Sequence, residues 1–139
     1  MINLISGISH ITFIVKDLDK ATIFFKDIFG AKEIYDSGDK QFSISKEKYF
    51  LVNDIWIAVM EGEKIEKSYN HIAFKIDESD YEMYLERIKN LGLEIKRERR
   101  RVTGEGNSIY FYDYDNHLFE LHTGTLENRL LCYKEKQAD

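Results

Sequence analysis

The chain contains no proline. Its turns must therefore rest on Gly, Asn, Asp and Ser, which reach positive φ or bond their own backbone. A single cysteine, Cys132, excludes an internal disulfide and any CxxC metal or redox centre. No apolar run approaches the roughly 18 residues of a membrane-spanning helix, so no membrane contact is expected. The opening MINLISGISHITF lacks a basic region followed by an apolar block and a small-residue cleavage site, and is not expected to be a signal peptide. With the lone cysteine, this points to a reducing, cytoplasmic setting. The net charge of −5 argues against a nucleic-acid surface. A length of 139 residues excludes two large domains, and 43% hydrophobic residues suffice for a packed core.

What is present repeats. Ser9-His10-Ile11-Thr12-Phe13-Ile14-Val15 reads like Asn70-His71-Ile72-Ala73-Phe74-Lys75-Ile76, each a strand-like block. A helical pattern follows each. Ala21, Phe24, Phe25 and Ile28 form one apolar stripe, and Tyr81, Tyr84, Leu85, Ile88 and Leu91 form another. Asp17 or Asp19 can cap the first helix and Gly30 can end it. Ser79-x-x-Glu82 has the form of a capping box, and Gly92 supplies a stop. Strand-like segments follow near Ala31–Tyr35, Gln41–Ser45, Tyr49–Val52 and Ile55–Met60, then near Leu93–Arg97, Ser108–Tyr112 and Leu118–His122. Gly38-Asp39, Asn53-Asp54, Gly104-Glu105-Gly106 and Asp115-Asn116 mark turns. His10 and His71 lie 61 positions apart, and Gly62 and Gly124 lie 62 apart. The chain thus reads as one α+β domain over 1–139. It comprises two βαβββ repeats, at about 8–62 and 69–124, and a helical tail at about 125–139.

His10 and His71 occupy equivalent points on the first strand of each repeat. Glu120, flanked by apolar neighbours, is costly to bury unless paired or metal-bound. Two imidazoles and a carboxylate suit Mn²⁺, Fe²⁺, Ni²⁺ or Zn²⁺. Alignment on the closing glycines matches Glu120 with Ala58, so one ligand of a symmetrical set is missing and coordination positions stay open, as catalysis requires. His122 shares the side-chain parity of Glu120, as ligand or as its support. His117, beside Asp115-Asn116, reads as a surface residue.

The His…His…Glu pattern on two βαβββ units resembles the vicinal oxygen chelate superfamily, which includes glyoxalase I and extradiol dioxygenases. The segments SHITFIVKDLDKAT, IWIAVMEG, YNHIAF and GEGNSIYFYDYDNHLFELHTGTLENRL resemble fosfomycin-resistance proteins over nearly the whole chain, within them most closely the hydrolase type. The resemblance implies a metal triad of His10, His71 and Glu120, Mn²⁺ as the usual ion with other divalent metals possible, and a homodimer of paired, exchanged repeats in which one histidine comes from the neighbour.

It also implies substrate. Fosfomycin is a small epoxide bearing a phosphonate, and a planar guanidinium fork suits a phosphonate. Thr12, Ser108, Tyr110 and Arg129 fall at substrate-contacting positions. Trp56 walls the pocket, and one of Arg99, Arg100 and Arg101 reaches the phosphonate, with Arg101 preferred. Taken singly, Trp56 and Tyr110 would be read as core, Thr12 as strand propensity, and Arg97 as a solvated charge. Glu47, in a loop between two strands of the first repeat, matches the general base that activates water in the hydrolase type; without the resemblance it would be read as a surface charge between Lys46 and Lys48. Ring opening at the phosphorus-bearing carbon would give a diol and antibiotic resistance. One alternative uses bacillithiol, cysteine or glutathione as nucleophile. Another is a protein that sequesters the drug without consuming it.

Overall fold

The computed structural model describes residues 2–97 and 99–138. Met1, Glu98 and Asp139 lie outside the described residues, including the ends of the 1–139 domain and of the tail as read from sequence. The chain divides into two compact units, the first ending at Ile65 and the second beginning at Glu66.

In the first unit, β1 (His10–Val15) leads into α1 (Leu18–Phe29), then β2 (Lys32–Asp36), β3 (Glu47–Val52) and β4 (Ile55–Glu61). The sheet order is β1-β4-β3-β2, with β1 and β4 parallel. A parallel pair needs a crossover, and α1 with the β2–β3 ribbon provides it. Asp17 starts α1 by accepting from the backbone N–H groups of Asp19 and Lys20 at 2.9 and 3.1 Å. Gly30 ends it at φ 61°, donating its N–H to the Lys26 carbonyl at 3.0 Å. The expected stripe of Ala21, Phe24, Phe25 and Ile28 is buried, and Phe25 stacks on Phe50 of β3 at 5.4 Å.

The second unit repeats this plan with β5 (His71–Lys75), α2 (Tyr81–Asn90), β6 (Ile95–Lys96), β7 (Ser108–Tyr112) and β8 (Leu118–His122) in the order β5-β8-β7-β6. Helix α3 (Leu126–Ala138) follows. Ile88, Phe111, Phe119 and Leu121 are fully buried. The tight turns fall at matching places. Asn53 joins β3 to β4 at φ 53°, and Asn116 joins β7 to β8 at φ 71°, the left-handed conformation that asparagine tolerates.

Four expectations are corrected. Gln41–Ser45 is not a strand, because the Gln41 amide donates to the Ser43 and Ile44 carbonyls at 3.2 and 2.9 Å and curls the segment. The capping box at Ser79 does not form: a one-turn 3-10 helix (Glu78–Asp80) precedes α2, whose Asp80 cap makes no side-chain bond. The strand expected over Leu93–Arg97 shortens to Ile95–Lys96. Leu93 instead donates its N–H to Ile88 and so closes α2. His117 is not an open surface residue. Asp113 takes its Nδ1 at 2.8 Å and its backbone N–H at 2.8 Å, tying the β7–β8 turn.

Candidate metal and anion site

Strand register builds the second unit's cluster. Glu120 on β8 stands between Ala73 of β5 and Tyr110 of β7, while Ser108 lies opposite His122. His71 lies two residues before Ala73, on the same face of the sheet. Its Nε2 stands 3.0 Å from Glu120 Oε1. The other ring nitrogen, Nδ1, is 2.7 Å from the Tyr69 carbonyl, which can only accept. Nδ1 therefore carries a proton, and Nε2 is the nitrogen that faces the carboxylate. A ring nitrogen and a carboxylate oxygen this close can share a cation, and this mixed N/O pair suits a divalent transition metal.

Glu120 is buried, with 4% of its surface exposed. Burial alone would raise its pKa, but Ser108 and Tyr110 hydroxyls, then His122 and His71, hold it below the usual carboxylate range. Ser108 Oγ donates to Glu120 Oε2 at 2.5 Å. The same hydroxyl lies 2.7 Å from His122 Nδ1. Arg129, from α3, approaches His122 Nε2 at 3.2 Å. A guanidinium only donates, which makes that Nε2 the unprotonated nitrogen. Burial lowers the His122 pKa, and the positive charges of Arg129 and Arg101 lower it further against the opposing pull of Glu120, which favours a neutral ring. His122 thus supports Glu120 through Ser108. Tyr110 is buried, and its hydroxyl pKa is pushed up by burial, by the Tyr69 hydroxyl and by Glu120.

Arg101 is the arginine of its run that enters this cluster. Its Nη2 donates to Ser108 Oγ at 2.5 Å, to Tyr110 OH at 3.2 Å and to Glu120 Oε2 at 3.4 Å. Arg100 is exposed. Arg99 and Arg101 both hold Glu105, a fully buried carboxylate. Sequence reasoning missed Glu105, because Gly-Glu-Gly signals a turn and gives no hint of burial. Its loop crosses the chain after β8 at very close range. A Cβ on Gly106 (φ +99°) would lie 2.6 Å from the Gly124 nitrogen, and one on Gly124 would lie 2.1 Å from the Glu105 carbonyl oxygen.

In the first unit, His10 and Trp56 are register partners with rings 4.2 Å apart. Ser9 Oγ lies 3.0 Å from His10 Nδ1, which leaves Nε2 to serve as ligand. Thr12 is exposed beside Ala58. Tyr49 packs edge-on to Trp56 at 5.2 Å. Its hydroxyl pKa is raised first by its hydrogen bond to Glu47, so the general-base candidate shares this face. Two readings of Glu47 are corrected: it opens β3 rather than lying in a loop, and it is 4% exposed rather than a surface charge. The cause is long-range. Its N–H donates to Ser37 Oγ at 3.0 Å, and its carbonyl accepts from Ser37 N–H at 3.0 Å. Trp56 Nε1 is buried without a hydrogen-bond partner among the described residues.

The structure thus gathers His71, Glu120, Ser108, Tyr110 and Arg101 in one cluster, with Arg129 joined through His122. It gathers His10, Trp56, Tyr49 and Glu47 on the other sheet. Among the described residues, no three His, Cys, Asp or Glu side chains of the chain form a metal-holding group.

Comparisons with known proteins extend this geometry. The family model described as Glyoxalase/Bleomycin resistance protein/Dioxygenase superfamily matches residues 7–121. The chain is 63% identical over 133 residues to fosfomycin resistance protein FosX of Listeria monocytogenes, covering 95% of this chain and 100% of the relative. A crystal structure of a variant of the L. monocytogenes protein, complexed with Mn(II) and 1S,2S-dihydroxypropylphosphonic acid, matches with a TM-score of 0.85 at 60% identity, covering 94% of this chain and 99% of that one. Metallothiol transferase FosB of Staphylococcus saprophyticus is 38% identical, over 96% of this chain and 87% of the relative.

Proposed function

The chain belongs to the Glyoxalase/Bleomycin resistance protein/Dioxygenase superfamily, and from that premise we propose that it is a Mn(II)-dependent hydrolase that opens the epoxide of fosfomycin with water. The observation that carries this reading is the likeness to FosX along 95% of the chain, together with a FosX structure that holds Mn(II) and a vicinal diol phosphonate. The lower identity to FosB, 38%, favours water over a thiol as nucleophile.

In this reading the two units are repeats of one domain, and the protein is a homodimer with exchanged repeats. His71 and Glu120 would hold the ion together with His10 of the partner subunit. When bound, Mn(II) supplies Lewis acidity toward the epoxide oxygen.

Side chains of both subunits do the rest, with Thr12, Glu47 and Trp56 supplied, on the sheet of His10, by the same subunit as His10. Arg101, Arg129, Ser108, Tyr110 and Thr12 bind and orient the phosphonate, and Trp56 packs against the small apolar part of the drug. Glu47 takes a proton from water as the water oxygen bonds to the phosphorus-bearing carbon. The carbon–oxygen bond of the epoxide breaks, and its oxygen gains a proton to complete the diol. Ser108, held between Glu120 and His122, keeps the carboxylate oriented throughout. No helix among the described residues is long and apolar enough to cross a membrane. We place the protein in the cytoplasm, the reducing setting that its single cysteine suits.

Purified protein with Mn(II) and fosfomycin, with and without bacillithiol, cysteine or glutathione, tests this by phosphorus NMR. A diol formed without thiol is expected. A thiol adduct formed faster than any diol would overturn the hydrolase reading, and stoichiometric protection without drug consumption would mark a sequestering protein.

A further inference from the structure

We propose that Glu105 is a positioning residue for fosfomycin binding: it acts through Arg101, whose guanidinium it holds against the metal-binding carboxylate side of the site. This rests on the proposed function above. Glu105 lies outside the metal and substrate set, yet it is fully buried in a loop that carries a cluster of positive charge.

Its oxygens are completely engaged. Oε2 accepts the Val102 N–H at 2.8 Å, and the Glu105 N–H returns to the Val102 carbonyl at 3.2 Å, so the acid closes its own loop. Oε1 accepts from Arg99 Nη2, from Arg101 Nη1 at 2.9 Å and from Tyr133 OH of α3 at 3.4 Å. One arm of Arg101 is thereby fixed. The geometry of a planar fork then directs the other, Nη2, at Ser108, Tyr110 and Glu120.

Arg101 spans two buried carboxylates and is itself only 13% exposed in its side chain. Without Glu105, three arginines in three consecutive positions would repel one another, and Arg101 would gain freedom to swing toward solvent. A long cationic side chain immobilised before the anion arrives avoids losing rotamer freedom on binding. Glu105 therefore acts on affinity for the phosphonate more than on the bond-breaking step.

Glu105→Gln is the incisive variant. It keeps the size, removes the charge, and replaces one acceptor oxygen by an N–H₂ that must face either the Val102 N–H or the arginines. We expect the KM for fosfomycin to rise about 10-fold with kcat within about 2-fold, the pattern of lost uniform binding. Arg101→Lys should raise KM likewise, and the double variant should add no more than about 2-fold to the larger single effect, because both act through one guanidinium. A Glu105→Gln effect that persists undiminished on the Arg101→Lys background overturns the proposal. So does a lowered Tm with unchanged KM and kcat. Should Glu105→Gln fail to fold, Glu105→Asp keeps the charge on a shorter arm and carries the same cycle. Calorimetric titration of the Mn(II)-loaded proteins with 1S,2S-dihydroxypropylphosphonic acid gives a reading free of turnover. If the unaltered protein forms no diol, the proposed function has failed. Equal diol-phosphonate affinity in the unaltered protein and Glu105→Gln would instead sink the role of Glu105.

Discussion

In the first unit the register position beside Thr12 on β4 is Ala58; in the second, the position beside Ala73 on β8 is Glu120. Both strands follow the same order, and both units place a histidine two residues earlier on the neighbouring parallel strand. One scaffold thus carries two chemistries. The first unit surrounds its histidine with Trp56 and Tyr49 and keeps a buried acid, Glu47, farther along β3. The second sets Glu120 and Tyr110 beside its own, with Ser108 and Arg101 against the carboxylate and Arg129 reaching them through His122. The difference shows how a duplicated unit can specialise without changing topology: a single side chain at one strand position decides which half sets a carboxylate beside its histidine.

That contrast can be broken most severely by making the second unit resemble the first. Glu120→Ala is expected to abolish diol formation and to weaken Mn(II) binding at least about 100-fold, as read by phosphorus NMR and metal titration. Turnover that survives the change would show that the carboxylate is not a ligand. The first unit is tested by Glu47→Gln, for which kcat should fall about 10²- to 10⁴-fold while affinity for the diol phosphonate holds. Unchanged kcat would remove Glu47 from the proton transfer.

A third test concerns acid stability. Burial pushes the Glu105 carboxyl up, but the Val102 N–H, Arg101 and Arg99 outweigh it and bring its pKa down to about 2. A lowered folded-state pKa stabilises above the unfolded value and is lost as pH falls toward the folded one. Between pH 7 and pH 3 this group should therefore account for a loss of about 2 kcal/mol. Urea melts of Glu105→Gln should show a flatter pH dependence by that amount, and parallel curves would contradict it. The smallest expected effect contrasts the helix starts. Asp17→Ala should cost about 1 kcal/mol, because Asp17 caps α1. Asp80→Ala should cost almost nothing, because Asp80 makes no capping bond. Equal losses in thermal melts would erase the distinction.

Much of this division was legible in the residues. Repeated His-Ile blocks, matched glycines and turn asparagines are local signals, and local signals survive in a linear chain. The pairing of Glu120 with Ala58 across the repeats followed from spacing alone and agrees with both strand registers. Other features depend on partners distant in sequence. Glu47 lies between two lysines, so nothing nearby shows that Ser37 will draw its backbone into a sheet. Gln41–Ser45 has a strand's alternation, yet a single amide side chain bends it. Glu105 resembles a turn residue until the loop folds back and four donors close around its carboxylate. The choice among three consecutive arginines likewise rested on which one that loop turns inward.

The glycine crossing beside this loop has an evolutionary consequence. Any side chain at Gly124 would collide with the Glu105 carbonyl, and any at Gly106 with the backbone of Gly124. A gene under selection for bulkier antibiotics cannot remodel this corner by a single codon change at either glycine. Change at this corner is open instead to exposed neighbours such as Thr103 or Asn107, whose side chains lie outside that contact.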